Sequence, residues 1–275
     1  MKKPQPVIVV DLFPEILEEL IGLLSGLSSE DWESPTACPA WSVQDVALHL
    51  LGDDVANLSS GRDGHSSPVF AQSWEELVAS INEWNEEWVR ATRRISPRLL
   101  IDLLEFAGTQ MCAYFRSLDP HAIGRPVSWA GPDPAPVWLD LAREYTERWH
   151  HQQHIRDAVR RPGLKEPRFF APVLRTFVHA LPHAFKETDA PDGTLVALNI
   201  PGAAGGRWFL LREEEKWNLY ADFPREPDAE VTTDQEVVWR IFTRGLGKGE
   251  ARERVKIAGD QSLGRKVLDV VSIIA

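Results

Sequence analysis

Apolar residues recur at helical spacing from the start of the chain to about Arg161, after which the pattern shortens into strand-like runs. The first helical pattern runs from about Asp11 to Leu24, with Leu12, Ile16, Leu17, Leu20, Ile21 and Leu24 on one face. A short segment, Ser29–Trp32, and a turn, Pro35–Trp41, precede the second helix. Ser42 opens that helix with Asp45 three residues on, a capping-box-like start, and Val43, Val46, Ala47 and Leu50 form its apolar side. Residues 59–72 form a Gly/Ser/Pro-rich loop in which His65 is expected to be exposed. Ser73 with Glu76 caps a third helix, whose stripe is Trp74, Leu77, Ile81, Trp84 and Trp88. Pro97 restarts the chain into a fourth, with Leu100, Leu103, Leu104, Ala107, Met111 and Phe115. A Pro/Gly-rich connector, His121–Pro136, leads into a last long helix that stops at Arg161-Pro162-Gly163. Five helical patterns joined in this way, four of them long, predict an antiparallel bundle.

Composition changes soon after Arg161. A helix is expected around Ala171–Phe185, followed by β-like runs at Thr194–Ile200, Arg207–Leu211 and Trp217–Ala221, with a further strand at Asp228–Thr232. Asp234–Thr243 predicts a helix, Arg254–Ala258 a strand and Gln261–Ile274 a closing helix. The expected organisation is a helical domain over residues 1–165 and an α+β domain over residues 166–275. Neither stretch carries a P-loop, a dinucleotide fingerprint or a GxSxG motif.

The 275 residues provide ample material for a core, and the formal net charge of −11 argues against a nucleic-acid or anionic-membrane partner. Cys38 and Cys112 are the only cysteines, too few for a disulfide framework and consistent with a reducing cytoplasm. Lys2 and Lys3 precede an apolar run of only Pro6–Val10, which is short for a signal peptide, and no stretch approaches membrane-spanning length. The chain is expected to be a monomer or homodimer. Most of the eleven tryptophans lie at helical spacing and are expected in the core.

The densest chemistry is Tyr145–Arg156, YTERWHHQQHIR, which places Glu147, His150, His151 and His154 within about two helical turns. At about 100° per residue, Glu147, His151 and His154 fall within about 60° of one another. A carboxylate and an imidazole four residues apart can share one metal, yet His150 with His154 has the same spacing, so the register stays open. The competing reading is a polar helix face wetted by solvent. On the second helix, His49 stands four residues from both Asp45 and Asp53, either of which could hold one ring nitrogen. Cys38 precedes Pro39 in a turn with no basic partner identifiable nearby, so it reads as a small buried hydrophobe rather than a nucleophile.

The stretch Leu27–Asp54, LSSEDWESPTACPAWSVQDVALHLLGDD, resembles the opening signature of the mycothiol-dependent maleylpyruvate isomerase family. The resemblance continues through Asn85–Leu100 and Tyr145–Arg156. It extends to the tail at Arg207-Trp208, Trp239-Arg240 and Ile257-Ala258-Gly259-Asp260. It implies a DinB-like metal-binding helical bundle followed by a small α+β, sterol-carrier-like domain. Carried over by position, the family's metal ligands fall on His49, Glu147 and His151, with Trp149 and Ile155-Arg156 setting the register. His154 stands where the family segment usually has Asp, which makes it a candidate fourth ligand or supporting group. Two His and one Glu leave a coordination position open, and zinc suits these donors, with nickel, cobalt or iron also fitting. The implied activity uses a low-molecular-weight thiol such as mycothiol as cosubstrate. Its thiolate adds reversibly to a cis double bond of a small acid, and rotation followed by elimination leaves the trans isomer. Arg240 and Arg265 are the candidates for binding the substrate's carboxylates. Glu147 and His151 point away from the Trp138–Leu141–Tyr145–Trp149 stripe and are therefore expected to face a cleft or solvent. Other metal-dependent thiol transferases or hydrolases, and a non-catalytic binder of apolar ligands, are the rival functions.

Overall fold

The computed structural model describes residues 1–65 and 73–273. Its elements run α1 (Phe13–Ser25), α2 (Ser29–Trp32), α3 (Val43–Asn57), α4 (Trp74–Thr92), α5 (Pro97–Ser117), β1 (Ile123–Pro126), β2 (Pro134–Pro136) and α6 (Val137–Ala158). There follow α7 (Pro167–Phe177), α8 (Leu181–Ala184), β3 (Leu195–Ile200), β4 (Gly206–Glu213), β5 (Lys216–Tyr220) and β6 (Ala229–Thr232). The last are α9 (Gln235–Phe242), α10 (Lys248–Arg254), β7 (Lys256–Gly259) and α11 (Gln261–Lys266). The chain divides into two compact units, one of Val9–Asp119 with Glu144–Lys165, the other of Met1–Ile8, Pro120–Arg143 and Glu166–Ala275. Among the described residues no helix is long and apolar enough to cross a membrane.

The helical unit is an antiparallel bundle in which α3 packs on α4 and α5, and α1 packs on α5. The expected faces form much of its core: Ile16, Leu20 and Leu24 from α1, and Leu100, Leu104, Ala107, Met111 and Phe115 from α5, are buried. Ser42 and Asp45 close the predicted capping box, with Asp45 N donating to Ser42 Oγ at 3.4 Å and Ser42 N to Asp45 Oδ2 at 3.1 Å. Gly52 lets α4 approach closely, since a Cβ there would meet Trp88 Cδ1 at 2.7 Å; the Trp88 indole instead donates to Leu48 O at 2.8 Å. The α4 stripe is shallower than its periodicity implies. Only Val89 of that helix is buried, and Trp84 is 46% exposed.

α6 departs most from expectation. It is not a helix with one buried stripe: Tyr145, Thr146, Trp149, His150, His151, Gln152, Gln153 and Arg156 are all buried. Several of its polar side chains find partners on other parts of the bundle. Gln152 Nε2 donates to Ile16 O at 2.6 Å, Trp149 Nε1 to Leu164 O at 2.8 Å, and Arg156 Nη2 to Glu19 Oε2 at 2.8 Å.

The other unit is α+β. Its five-stranded sheet has the order β5-β4-β3-β6-β7, with β3 and β6 parallel and the other pairs antiparallel. Leu195, Ala197, Phe209, Leu211 and Tyr220 form a core cluster on it. Three sequence expectations need correction here. The helix over Ala171–Phe185 begins at Pro167 and breaks through a 3-10 turn, Val178–Ala180, because Pro182 has no N–H to continue the ladder. The closing helix over Gln261–Ile274 stops at Lys266 and passes through a 3-10 turn, Val267–Asp269, into non-helical backbone. β-branched residues dominate that stretch and disfavour helix; Ile274 lies outside the described residues. The strand over Arg254–Ala258 is β7, shifted to Lys256–Gly259, and α10 and the β1–β2 pair were not anticipated.

In this unit the His179 ring stacks edge-on against Trp138 at 5.2 Å, and its buried Nε2 has no hydrogen-bond partner among the described residues. Burial pulls its pKa down to about 4. The unfolded chain therefore takes up this proton first. The stability from keeping the ring neutral is fully present above about pH 6.5 and is lost as pH falls toward 4. His179→Phe is expected to remove about 2 to 3 kcal/mol of the pH dependence of stability across that window, read by urea unfolding at pH 7 and pH 4.5. Parallel pH profiles for the two proteins would contradict the assignment.

Candidate metal centre

Two helices of the bundle bring the candidate ligands together. The capping box fixes the start of α3 and so the phase at which His49, nearly two turns further on, faces α6. His49 Nε2 lies 3.4 Å and His151 Nε2 2.9 Å from the same oxygen, Glu147 Oε1. The His49 and His151 rings stand 4.5 Å apart, edge to face. One ligand atom each from His49, Glu147 and His151 falls within 4.8 Å of the other two. Donors around a tetrahedral ion at zinc–nitrogen and zinc–oxygen distances are separated by about 3.4 Å, so this trio has the dimensions of a ligand set. The histidines are not wetted by solvent: His49 is 4% and His151 8% exposed, and His151 Nδ1 is buried with no hydrogen-bond partner among the described residues.

Carboxylates and imidazoles set one another's charge in this cluster. Burial pushes Glu147 up, but the imidazoles of His151 and His49 outweigh it and hold the carboxyl well below the ordinary range. For His49, burial pulls the pKa down, and the carboxylates of Asp53 and Glu147 more than offset it, leaving it raised. Asp53 Oδ2 lies 3.5 Å from His49 Nε2. Burial lifts Asp53 to about 6, and Glu147 and Glu144 add to the rise against the pull of His49. Asp53 thus addresses the same nitrogen that faces Glu147, rather than holding the far side of the ring. Asp45 does not reach His49 at all. Its carboxylate is taken by Arg93, which donates from Nε at 2.9 Å and from Nη2 at 3.1 Å.

Cys38 has the basic neighbour that its local sequence does not show. Its Sγ lies 3.0 Å from His154 Nδ1, and burial pushes the thiol up to about 11, so at neutral pH it remains S–H. The His154 ring is 4.1 Å from that of His150 and 5.3 Å from that of His151. His65 is exposed, as expected. In the α+β unit, Arg240 is half-buried on α9 with its guanidinium 4.2 Å over the Trp239 ring, and Arg265 is exposed on α11.

A helical bundle followed by an α+β unit is what the resemblance implied. The family model for the mycothiol maleylpyruvate isomerase N-terminal domain matches residues 13–156, just over half of the chain. The chain belongs to that family. The likeness to the solved structure of the mycothiol-dependent maleylpyruvate isomerase covers 90% of this chain and 91% of that one, at 15% identity and a TM-score of 0.54. A mutant of the mycothiol-dependent maleylpyruvate isomerase gives the same coverage at 14% identity and a TM-score of 0.53. At these identities the likeness is one of fold: a bundle followed by an α+β unit. A sterol carrier protein domain 2 of Helicoverpa armigera is similar at 20% identity over 39% of this chain and 91% of that one, with a TM-score of 0.29. No curated protein matches the chain.

Proposed function

We propose that this family member is a metal-dependent enzyme that borrows a low-molecular-weight thiol of the mycothiol type to isomerise a small unsaturated acid from cis to trans. The observation that carries the reading is the convergence of His49 Nε2 and His151 Nε2 on Glu147 Oε1 within a largely buried cluster of side chains. His49, Glu147 and His151 would hold the ion, zinc being the best match to two imidazoles and a carboxylate. A divalent ion there supplies Lewis acidity that lowers the pKa of a thiol at the open position. Glu147 and Asp53 bring two carboxylates to the pocket, which complements a divalent charge and would draw Asp53 back below its raised pKa. Burial raises the pKa of both protein thiols, Cys38 and Cys112, so without a metal neither offers a thiolate at neutral pH in place of the cosubstrate. The borrowed sulfur adds to the double bond, the adduct rotates about the resulting single bond, and expulsion of the same thiol leaves the trans acid. Arg240 and Arg265 are proposed to bind the acid's carboxylates, a role in which Arg→Gln raises KM more than it lowers kcat.

The test is turnover of maleylpyruvate by zinc-loaded protein with and without mycothiol. Isomerisation that needs both zinc and thiol is expected. Thiol-independent hydrolysis of an ester or amide at the same residues would replace this reading with a hydrolase. Absence of turnover together with a lipid carried by the purified protein would replace it with an apolar-ligand-binding protein.

A further inference from the structure

The side chains left over from the three-residue set lie against it and form a set of their own. Cys38, His151 and His154 each bring one ligand atom within 4.8 Å of the other two, and His151 belongs to both groups. Cys38 is held by the turn before α3. Its N–H donates to Thr36 Oγ1 at 3.1 Å, its carbonyl accepts from Trp41 N at 3.1 Å, and Thr36 Oγ1 donates to Trp41 O at 2.9 Å. His154 follows His151 by three residues on α6 and so shares its side of the helix. Around a tetrahedral ion, sulfur and nitrogen donors sit about 3.5 Å apart, and the observed Sγ–Nδ1 separation of 3.0 Å needs only a small outward movement to match.

We infer that Cys38, His151 and His154 form a second, sulfur-containing seat for a divalent ion, sharing His151 with the His49–Glu147 seat and favouring thiophilic ions such as zinc, cadmium or cobalt. A sulfur and two imidazoles make a softer donor set than two imidazoles and a carboxylate, so the two seats rank metals differently. Binding at this seat displaces the thiol proton to solvent and forms a metal–sulfur bond without any change of oxidation state. The inference rests on the proposed function only in sharing His151.

Cobalt(II) titration of the full chain tests it through the near-ultraviolet sulfur-to-cobalt charge-transfer band. The wild type and Cys112→Ser are expected to show the band, and Cys38→Ser to lose it while still binding cobalt. His154→Ala is expected to weaken it, and Glu147→Gln to retain it. Cobalt bound by the wild type without a charge-transfer band would overturn the inference and leave the His49–Glu147–His151 reading standing. A band kept in Cys38→Ser but lost in Cys112→Ser would also overturn it. A band present in the wild type, with cobalt affinity unaffected by His49→Ala and Glu147→Gln, would instead support the sulfur seat and remove the other.

Discussion

Replacing Arg148 with methionine is expected to destabilise the protein by about 3 to 5 kcal/mol, the usual cost of leaving buried charges uncompensated. Arg148 Nη2 donates to Asp54 Oδ1 at 2.5 Å, and Nη1 donates to Glu144 Oε2 at 2.7 Å and to Glu144 O at 3.0 Å. The side chains of Asp54 and Glu144 are only 6% and 5% exposed, so water cannot replace the guanidinium. Burial already raises Asp54 against the opposing pull of Arg148, and losing that partner raises it further. A carboxyl whose folded pKa exceeds its unfolded one favours the fold as pH falls toward the unfolded value. The defect in Arg148→Met should therefore be smaller at pH 5 than at pH 7.5. Urea unfolding at the two pH values reads both effects. A loss below about 1 kcal/mol, typical of an exposed pair, would show that the trio is not a buried network in solution.

The second large effect concerns metal affinity. Removing any one of His49, Glu147 or His151 as alanine takes a donor from a three-ligand set. Each change is expected to weaken zinc binding by at least about a hundredfold, or about 2.7 kcal/mol. Asp53→Asn leaves the donors in place and removes a neighbouring negative charge, so about tenfold is expected, as for other groups that support a ligand from outside. His65→Ala should have no effect, because His65 is exposed. Of the loop expected over residues 59–72, Leu58–Arg62 is instead a π-helical turn that continues α3, and residues 66–72 lie outside the described residues. His150→Ala is the control for register. Loss of zinc in His150→Ala with retention in His151→Ala would show that the ion sits on the opposite pairing from the one proposed.

The bundle was legible because local signals agreed along α1, α3 and α5: apolar spacing, a Ser/Asp capping box, and Pro97 at a helix start. Periodicity indicates which side of a helix faces inward but not how far in, and Trp84 on α4 shows the difference. α6 was misjudged for a related reason. Its polar residues lie in the bundle interior because partners arrive from far along the chain, as Ile16 does for Gln152, 136 residues away. Separations of 48 and 116 residues likewise hid Arg93 from Asp45 and His154 from Cys38. In the α+β unit the strands stood out as short β-like runs between turn signals, whereas α10 is short and polar and β1 and β2, of four and three residues, are too short to leave a pattern. The trio itself could not be chosen from spacing, which allowed His150 with His154 equally. The family signature selected the residues that the fold then brings within 4.8 Å.

The central claim is that this bundle holds a divalent ion, and metal analysis of untagged protein purified without chelator tests it most directly. The account predicts about one tightly held zinc-like ion per chain at the His49–Glu147–His151 seat, removable by a strong chelator and restored by added zinc. Protein that emerges metal-free and takes up no zinc, cobalt or nickel at micromolar concentrations would contradict it.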